Sequence, residues 1–256
     1  MIDLHCHILP ELDDGPETLP ESVEMARTAV ADGFTQLVAT PHISRAYPAT
    51  TGLRIAEGVL LLNRALREAD VELTVRPGAE VALRHVAELE DGELRRLRLG
   101  AGPWMLVECP STGSASDLEA ALDTLAAREH RILLAHPERI QGFSDDRALL
   151  IRLVSQGMLC QLTAGSLVGL FGSEVERFAR RLASDGLIHI VATDAHSAAD
   201  RPPSVRRELQ EAGFSEDGVR FVTLEAPQAM LAGEPVPMPP PLLAERRPRR
   251  LPRRTP

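Results

Sequence analysis

Seven short apolar runs punctuate the chain between Met1 and Thr193, each closing on polar side chains and followed by a segment with helical spacing. They are Met1–Cys6, Thr35–Thr40, Glu72–Arg76, Trp104–Cys109, Arg131–Ala135, Met158–Thr163 and Leu187–Thr193. Short apolar runs bounded by turn residues predict buried strands, and a period near 3.6 between them predicts amphipathic helices. Thr18 with Glu21 and Ser116 with Glu119 fit capping boxes, Pro20 suits a first turn, and Gly33, Gly157 and Gly186 fit C-terminal stops. Ile55, Val59, Leu62 and Leu66 form one apolar helix face, and Leu118, Leu122 and Leu125 another. Because parallel strands need crossover connections, this alternation leads to an α/β fold, either a closed parallel barrel or an open doubly wound sheet. No Gly-rich phosphate loop accompanies the strands, which weakens the second choice.

With 256 residues and 44% hydrophobic content, one main core is the default. The net charge of −9 disfavours a nucleic-acid partner, since phosphate backbones attract basic surfaces. That charge is unevenly placed. Gly233 to Pro256 holds six Arg against two Glu, or +4, which leaves −13 on residues 1–232. The Pro/Arg-rich stretch 233–256 lacks hydrophobic periodicity and reads as a disordered tail behind a single domain at 1–232. No run approaches the ~18 apolar residues of a membrane span, and the start lacks a signal-peptide pattern, so a cytoplasmic location is expected. Cys6, Cys109 and Cys160 are odd in number and sit inside apolar runs, as reduced core residues do.

Ligand-type side chains cluster at the C-terminal ends of the predicted strands. The first run ends in His5-Cys6-His7, and alternate strand residues share a face, so both imidazoles point one way and Cys6 the other. His42 follows the second run, Glu80 the third, Glu108 closes the fourth, His136 follows the fifth, and Asp194 and His196 follow the seventh. Asp14 lies in the loop after the first. Loops after barrel strands converge on one face, so these groups meet in one pocket. Five imidazoles and four carboxylates exceed the needs of one ion, and two or three divalent ions are implied. Mixed nitrogen and oxygen donors suit Mn, Fe or Zn and leave the identity of the metal open. Arg139 and Arg201 lie close enough in sequence to His136 and His196 to reach the same pocket, where a guanidinium fork matches an oxyanion, although a surface position after a strand is as open a reading for each. His85, His130 and His189 do not occupy strand ends and are assigned to surface or packing roles. No cysteine has an Arg six residues later, as thiolate phosphatases need, since Leu12, Ala115 and Ser166 stand there. No G-x-S-x-G elbow occurs either.

The stretches MIDLHCHILPELDDGP, ATPH, PGAE, LVEC, LAHPER and ATDAHSAADRPP, in this order, resemble the polymerase and histidinol phosphatase (PHP) superfamily. The likeness is greatest to its bacterial protein-tyrosine phosphatase branch linked to capsule and exopolysaccharide synthesis. The resemblance implies a distorted seven-stranded β/α barrel, TIM-like, with a trinuclear site and phosphomonoester hydrolysis. It assigns metal contacts to His5, His7, Asp14, His42, Glu80, Glu108, His136, Asp194 and His196, and phosphate binding to Arg139 and Arg201. The expected mechanism has a metal-activated hydroxide attack phosphorus in line, with Asp194, His196 or a metal-bound water protonating the leaving oxygen. The implied partner is a phosphotyrosine protein, a bacterial tyrosine kinase. The alternatives are a small-molecule phosphatase of the histidinol phosphate kind and a non-catalytic metal-binding module. Ser197, where relatives often carry Asn, and the Pro/Arg tail depart from the pattern. No motif fixes the oligomeric state.

Overall fold

The computed structural model describes residues 1–112 and 115–244. Its strands are β1 (Ile2–Cys6), β2 (Gln36–Ala39), β3 (His42–Ile43), β4 (Thr74–Pro77), β5 (Glu80–Ala82), β6 (Trp104–Glu108), β7 (Arg131–Ala135), β8 (Leu159–Thr163) and β9 (Ile190–Ala192). All pair in parallel, as one sheet of order β1-β2-β4 and another of order β3-β5-β6-β7-β8-β9. Each of the seven apolar runs carries a strand, and among the described residues the parallel strands number nine, because two of the runs continue into a second short strand.

The cause of the split is local. Pro41 has no N–H to give a ladder, so pairing in the second run stops at Ala39 and resumes at His42. The partner run breaks at the matching place, after Pro77, where a Cβ on Gly78 would stand 2.6 Å from Val38 Cγ1. Glycine is therefore required for the two chains to lie this close. β1 and β9 are joined by the single bridge Cys6–Ala195, flanked by His7 N–H donating to Ala195 O (2.8 Å) and Asp194 N–H donating to His5 O (2.8 Å). Those two bonds fix the register of the chain segments that carry His5, His7, Asp194 and His196.

The first helix, Leu19–Asp32, starts on Thr18, whose side chain accepts from Glu21 N–H, and ends on Gly33 at φ 100°. The carboxylate of Glu21 turns back to accept from Glu17 N–H (2.8 Å), so the reciprocal half of the capping box falls one residue early. Helix Gly52–Glu68 buries Ile55, Val59, Leu62 and Leu66 as the periodicity requires. Its Asn63 donates to Val75 O (2.7 Å) and accepts from Val75 N–H (2.9 Å), which ties the helix to β4. The fifth predicted run is followed by short helices, while the fourth is followed by Ala115–Ala126. Ser116 is thus inside that helix and not at its cap, a correction to the capping box expected with Glu119. The apolar core is continuous from Ile2 to Leu242.

The described part of the stretch read as a tail, 233–244, packs its end against the body. Leu242 is buried, its carbonyl accepts from Ser215 N–H (2.8 Å), and Ala244 N–H donates to Gly213 O (2.9 Å). A Phe214–Leu243 antiparallel bridge completes the docking. Two adjacent leucines anchor this stretch without any period, which is why composition alone misreads it. Residues 245–256, with all six arginines of the stretch, lie outside the described residues. No helix among the described residues is long and apolar enough to cross a membrane.

Candidate metal centre

β1 is buried along its whole length. Its alternation sends Cys6 into the apolar core and both His5 and His7 toward one pocket, where the two Nε2 atoms stand 3.2 Å apart. The outer nitrogen of each imidazole has its own partner. His7 Nδ1 donates to Asp13 Oδ2 (2.6 Å), and His5 Nδ1 lies 2.9 Å from Gln161 Oε1. That amide oxygen also accepts from His136 N–H (3.1 Å), so it is an acceptor and His5 Nδ1 is the donor. His196 Nδ1 lies 2.9 Å from the carbonyl oxygen of Asp194, which can only accept. All three rings therefore carry a proton on Nδ1 and turn Nε2 inward, the orientation a metal-ligating histidine adopts.

The carboxylates complete the set. Glu80 is buried, and its Oε2 lies 3.0 Å from His42 Nδ1, 3.2 Å from His5 Nε2 and 3.4 Å from His7 Nε2, yet no hydrogen bond satisfies that oxygen. Its Oε1 takes His136 Nε2 at 2.8 Å. Among the described residues, four groups have ligand atoms all within 4.8 Å of one another: His7, Asp14, His42 and His196; His5, His7 and Glu80; His5, His136 and Asp194; His42, Glu80 and Glu108. Every one of the nine residues singled out by strand position is in at least one group, and none is stranded elsewhere. Converging imidazole nitrogens and an orphaned buried carboxylate oxygen fit divalent cations, because a bare cluster of this kind leaves buried acceptors without donors.

The electrostatics point the same way. Burial alone would push the Glu80 and Asp194 carboxyls up, but the surrounding imidazoles outweigh it and hold both well below the ordinary range. Burial alone would depress His7, yet the hydrogen bonds to Asp13, Asp194 and Glu80 raise it well above a free imidazole. The pocket thus favours positive charge at its centre. Glu108 behaves differently: it is raised, first by burial and then by the charge of Glu80. His136 (φ 31°) and Asp194 (φ 52°) take left-handed backbone conformations that non-glycine residues seldom adopt, and such strain gathers at functional sites.

Arg139 and Arg201 reach the same place from different loops. Arg139 donates to Asp194 Oδ2 at 2.6 Å, and Arg201 lies 2.7 Å from that oxygen while also donating to Asp194 O at 2.8 Å. Asp194 Oδ1 faces the other way, 3.4 Å from His5 Nε2 and 3.5 Å from His7 Nε2. One carboxylate therefore stands between the imidazoles and the guanidiniums. Recesses of about 290 Å³ beside Glu108, His136 and Arg139, and about 580 Å³ beside Asp14, His196 and Arg201, flank the cluster.

Residues 1–232 match the CpsB/CapC family of capsular polysaccharide synthesis. The chain belongs to this family. It is 36% identical over 201 residues to the tyrosine-protein phosphatase YwqE of Bacillus subtilis, across 78% of this chain and 79% of that protein. It is 26% identical over 214 residues to the tyrosine-protein phosphatase CpsB of Streptococcus pneumoniae, across 81% of this chain and 87% of the other. A solved structure described under YwqE from Bacillus subtilis and CpsB from Streptococcus pneumoniae, as metal-dependent tyrosine phosphatases, superposes with a TM-score of 0.81 at 32% identity. It covers 96% of this chain and 100% of that chain.

Several residues of this CpsB/CapC family chain escaped the sequence reading. Asp13, beside the expected Asp14, is the one that turns inward: it orients His7 and also accepts from His42 N–H (2.9 Å). Gln161 and Glu138 are buried polar groups whose signal was a polar residue within or beside an apolar run. The Phe171 ring lies within cation–π distance of both arginines and carries no such signal. His85, His130 and His189 lie outside the cluster, paired with Glu88, Arg98 and Cys160 N–H respectively.

Burial raises all three cysteines, Cys109 to about 12, so none is poised as a thiolate. The triple change C6S/C109S/C160S is expected to lower thermal stability, since it buries hydroxyls, while the folded fraction keeps its metal-dependent turnover. Assay of that variant, normalised to folded and metal-loaded protein, checks this; lost turnover would return the cysteines to contention.

Proposed function

We propose that this chain is a metal-dependent protein-tyrosine phosphatase that acts on a bacterial tyrosine kinase in capsule or exopolysaccharide regulation. The observation that carries the reading is Asp194, one buried carboxylate with an imidazole cluster on one oxygen and two arginines on the other. Family membership supplies the substrate class, through relatives named as tyrosine phosphatases.

In this reading residues 1–232 form the catalytic domain. The two sheets act as one distorted seven-stranded barrel, with β2/β3 and β4/β5 each an interrupted strand. Continued pairing supports this, since β2 pairs with β4 and β3 with β5, and the Cys6–Ala195 bridge brings the last strand to the first. His5, His7, Asp14, His42, Glu80, Glu108, His136, Asp194 and His196 would hold two or three divalent ions, with Mn the first choice and Fe or Zn as alternatives. Such ions supply positive charge for the phosphoryl oxygens and lower the pKa of water.

The chain's own residues do the rest. Arg139 and Arg201 present N–H donors to two phosphoryl oxygens, with Asp194 aligning the two guanidiniums beforehand. Asp13 holds the proton of His7 on Nδ1, and Gln161 does the same for His5. His196 donates its Nδ1–H to a backbone carbonyl, and the imidazoles around Asp194 hold its carboxyl well below the ordinary range, so neither group favours holding a proton for a leaving oxygen. Such a site suits a leaving group that departs with little protonation, and a tyrosine phenol, with a pKa of about 10, is a far better one than an alkyl alcohol.

The test is a parallel measurement of kcat/KM for a phosphotyrosine peptide, a phosphoserine peptide and histidinol phosphate at equal metal loading. The phosphotyrosine peptide is expected to lead by tenfold or more, about 1.4 kcal/mol of transition-state discrimination. A tenfold preference for histidinol phosphate would replace this reading with the small-molecule one.

A further inference from the structure

We infer that Phe171 is a positioning residue for the two arginines, an aromatic platform that the loop after β8 lays against both guanidiniums. This rests on the reading of Arg139 and Arg201 as the phosphate grip. Of the seven expected strand runs, the one that becomes β8 is alone in ending without a ligand-type side chain: it closes on Thr163. Its loop delivers Phe171 instead. The ring centroid lies 4.6 Å from Arg139 Cζ and 5.8 Å from Arg201 Cζ, both inside the ~6 Å range of cation–π attraction.

The arginines pose a problem that such a platform solves. They come from loops after different strands, β7 and β9, and both lean on the same oxygen of Asp194. Two positive groups sharing one negative partner repel each other, and each side chain is long and flexible. An aromatic face attracts both through its quadrupole and offers no hydrogen-bond acceptor to occupy their N–H groups. The N–H edges stay available for phosphate oxygens.

The fold fastens this loop to the Arg139 loop. Glu138, next to Arg139 and buried, accepts from Thr163 N–H (3.0 Å) and from the Ser166 hydroxyl (2.7 Å). Gly169 (φ 82°) and Gly172 (φ 96°) bracket Phe171 with left-handed turns. Leu170 beside it points to solvent at 56% exposure, whereas Phe171 is half-buried and lies outside the apolar core. A residue placed only for packing would be expected in that core.

The experiment uses the full-length, metal-loaded protein and the variants F171L, F171A and F171W, with R139A and R201A as references. It measures kcat and KM on a phosphotyrosine peptide, inhibition by inorganic phosphate, and bound metal. Leu keeps the apolar bulk and removes the quadrupole. F171L and F171A are expected to raise KM and weaken phosphate inhibition by about tenfold, the scale of two lost cation–π contacts, with a smaller change in kcat and no loss of metal. F171W is expected to stay close to wild type. If F171L matches wild type in both readouts while R139A and R201A do not, the platform is overturned and the arginine reading stands. If R139A and R201A leave phosphate inhibition unchanged, the arginine reading itself is wrong and the platform falls with it.

Discussion

Glu80→Gln is expected to remove turnover on an aryl phosphate by roughly 10²-fold or more and to release bound metal. The size follows from position. Glu80 shares ligand-atom groups with His5 and His7 and, separately, with His42 and Glu108, so one side chain serves two candidate ion positions. It is buried, with imidazoles of His5, His7, His42 and His136 around it. Gln keeps the shape but cancels the charge and replaces one acceptor by a donor aimed at imidazole nitrogens that are already turned inward. Several kcal/mol of charge stabilisation then disappear at a rate of about 1.4 kcal/mol per factor of ten. His7→Ala is expected to follow it, because His7 is also in two of the groups. The measurement is turnover together with metal content by elemental analysis, for wild type and both variants. Wild-type protein stripped by a chelator should lose activity and regain it with Mn, Fe, Co or Zn; full activity in metal-free protein, or metal-replete and fully active E80Q, would remove the centre from the chemistry.

The features legible in the sequence are those fixed by a period. His5 and His7 share a face because strand side chains alternate, and the other ligands follow apolar runs because strand ends face one pocket. The break at Pro41 is written in the chain too, since a residue without an N–H cannot continue a ladder. Other features depend on tertiary contact and leave no periodic trace. Asp13 and Asp14 are neighbours of the same type, yet Asp13 is buried against His7 and Asp14 remains 48% exposed, in a loop so close to β1 that a Cβ on Gly15 would stand 2.5 Å from His7 O. Gln161 sits in an apolar run, where its amide is costly unless two partners await it, and His5 with His136 are those partners. Leu242 and Leu243 were hidden by the Pro/Arg composition around them.

The double change R139A/R201A is expected to lower kcat/KM for a phosphotyrosine peptide by about 10²- to 10⁴-fold, on the scale of 1.5–3 kcal/mol for each charge-assisted hydrogen bond lost. Metal content should hold, because a guanidinium is always charged and ligates no cation, and the side of Asp194 that faces the imidazoles is the opposite oxygen. The two single variants should not add. With both guanidiniums on Asp194 Oδ2, removing one leaves the other free to centre on that oxygen and draws it away from the phosphate position, so each single loss includes part of the other. Lysine at either position restores charge but not the planar fork, and R139K or R201K should recover only a fraction of the loss. Kinetics on the two singles, the double and the lysine variants, read alongside metal content, check all of this. Retention of near-normal kcat/KM in the double variant would make the arginines mere neutralisers of Asp194, and metal loss in both singles would place them among the supports of the centre and not among its substrate contacts.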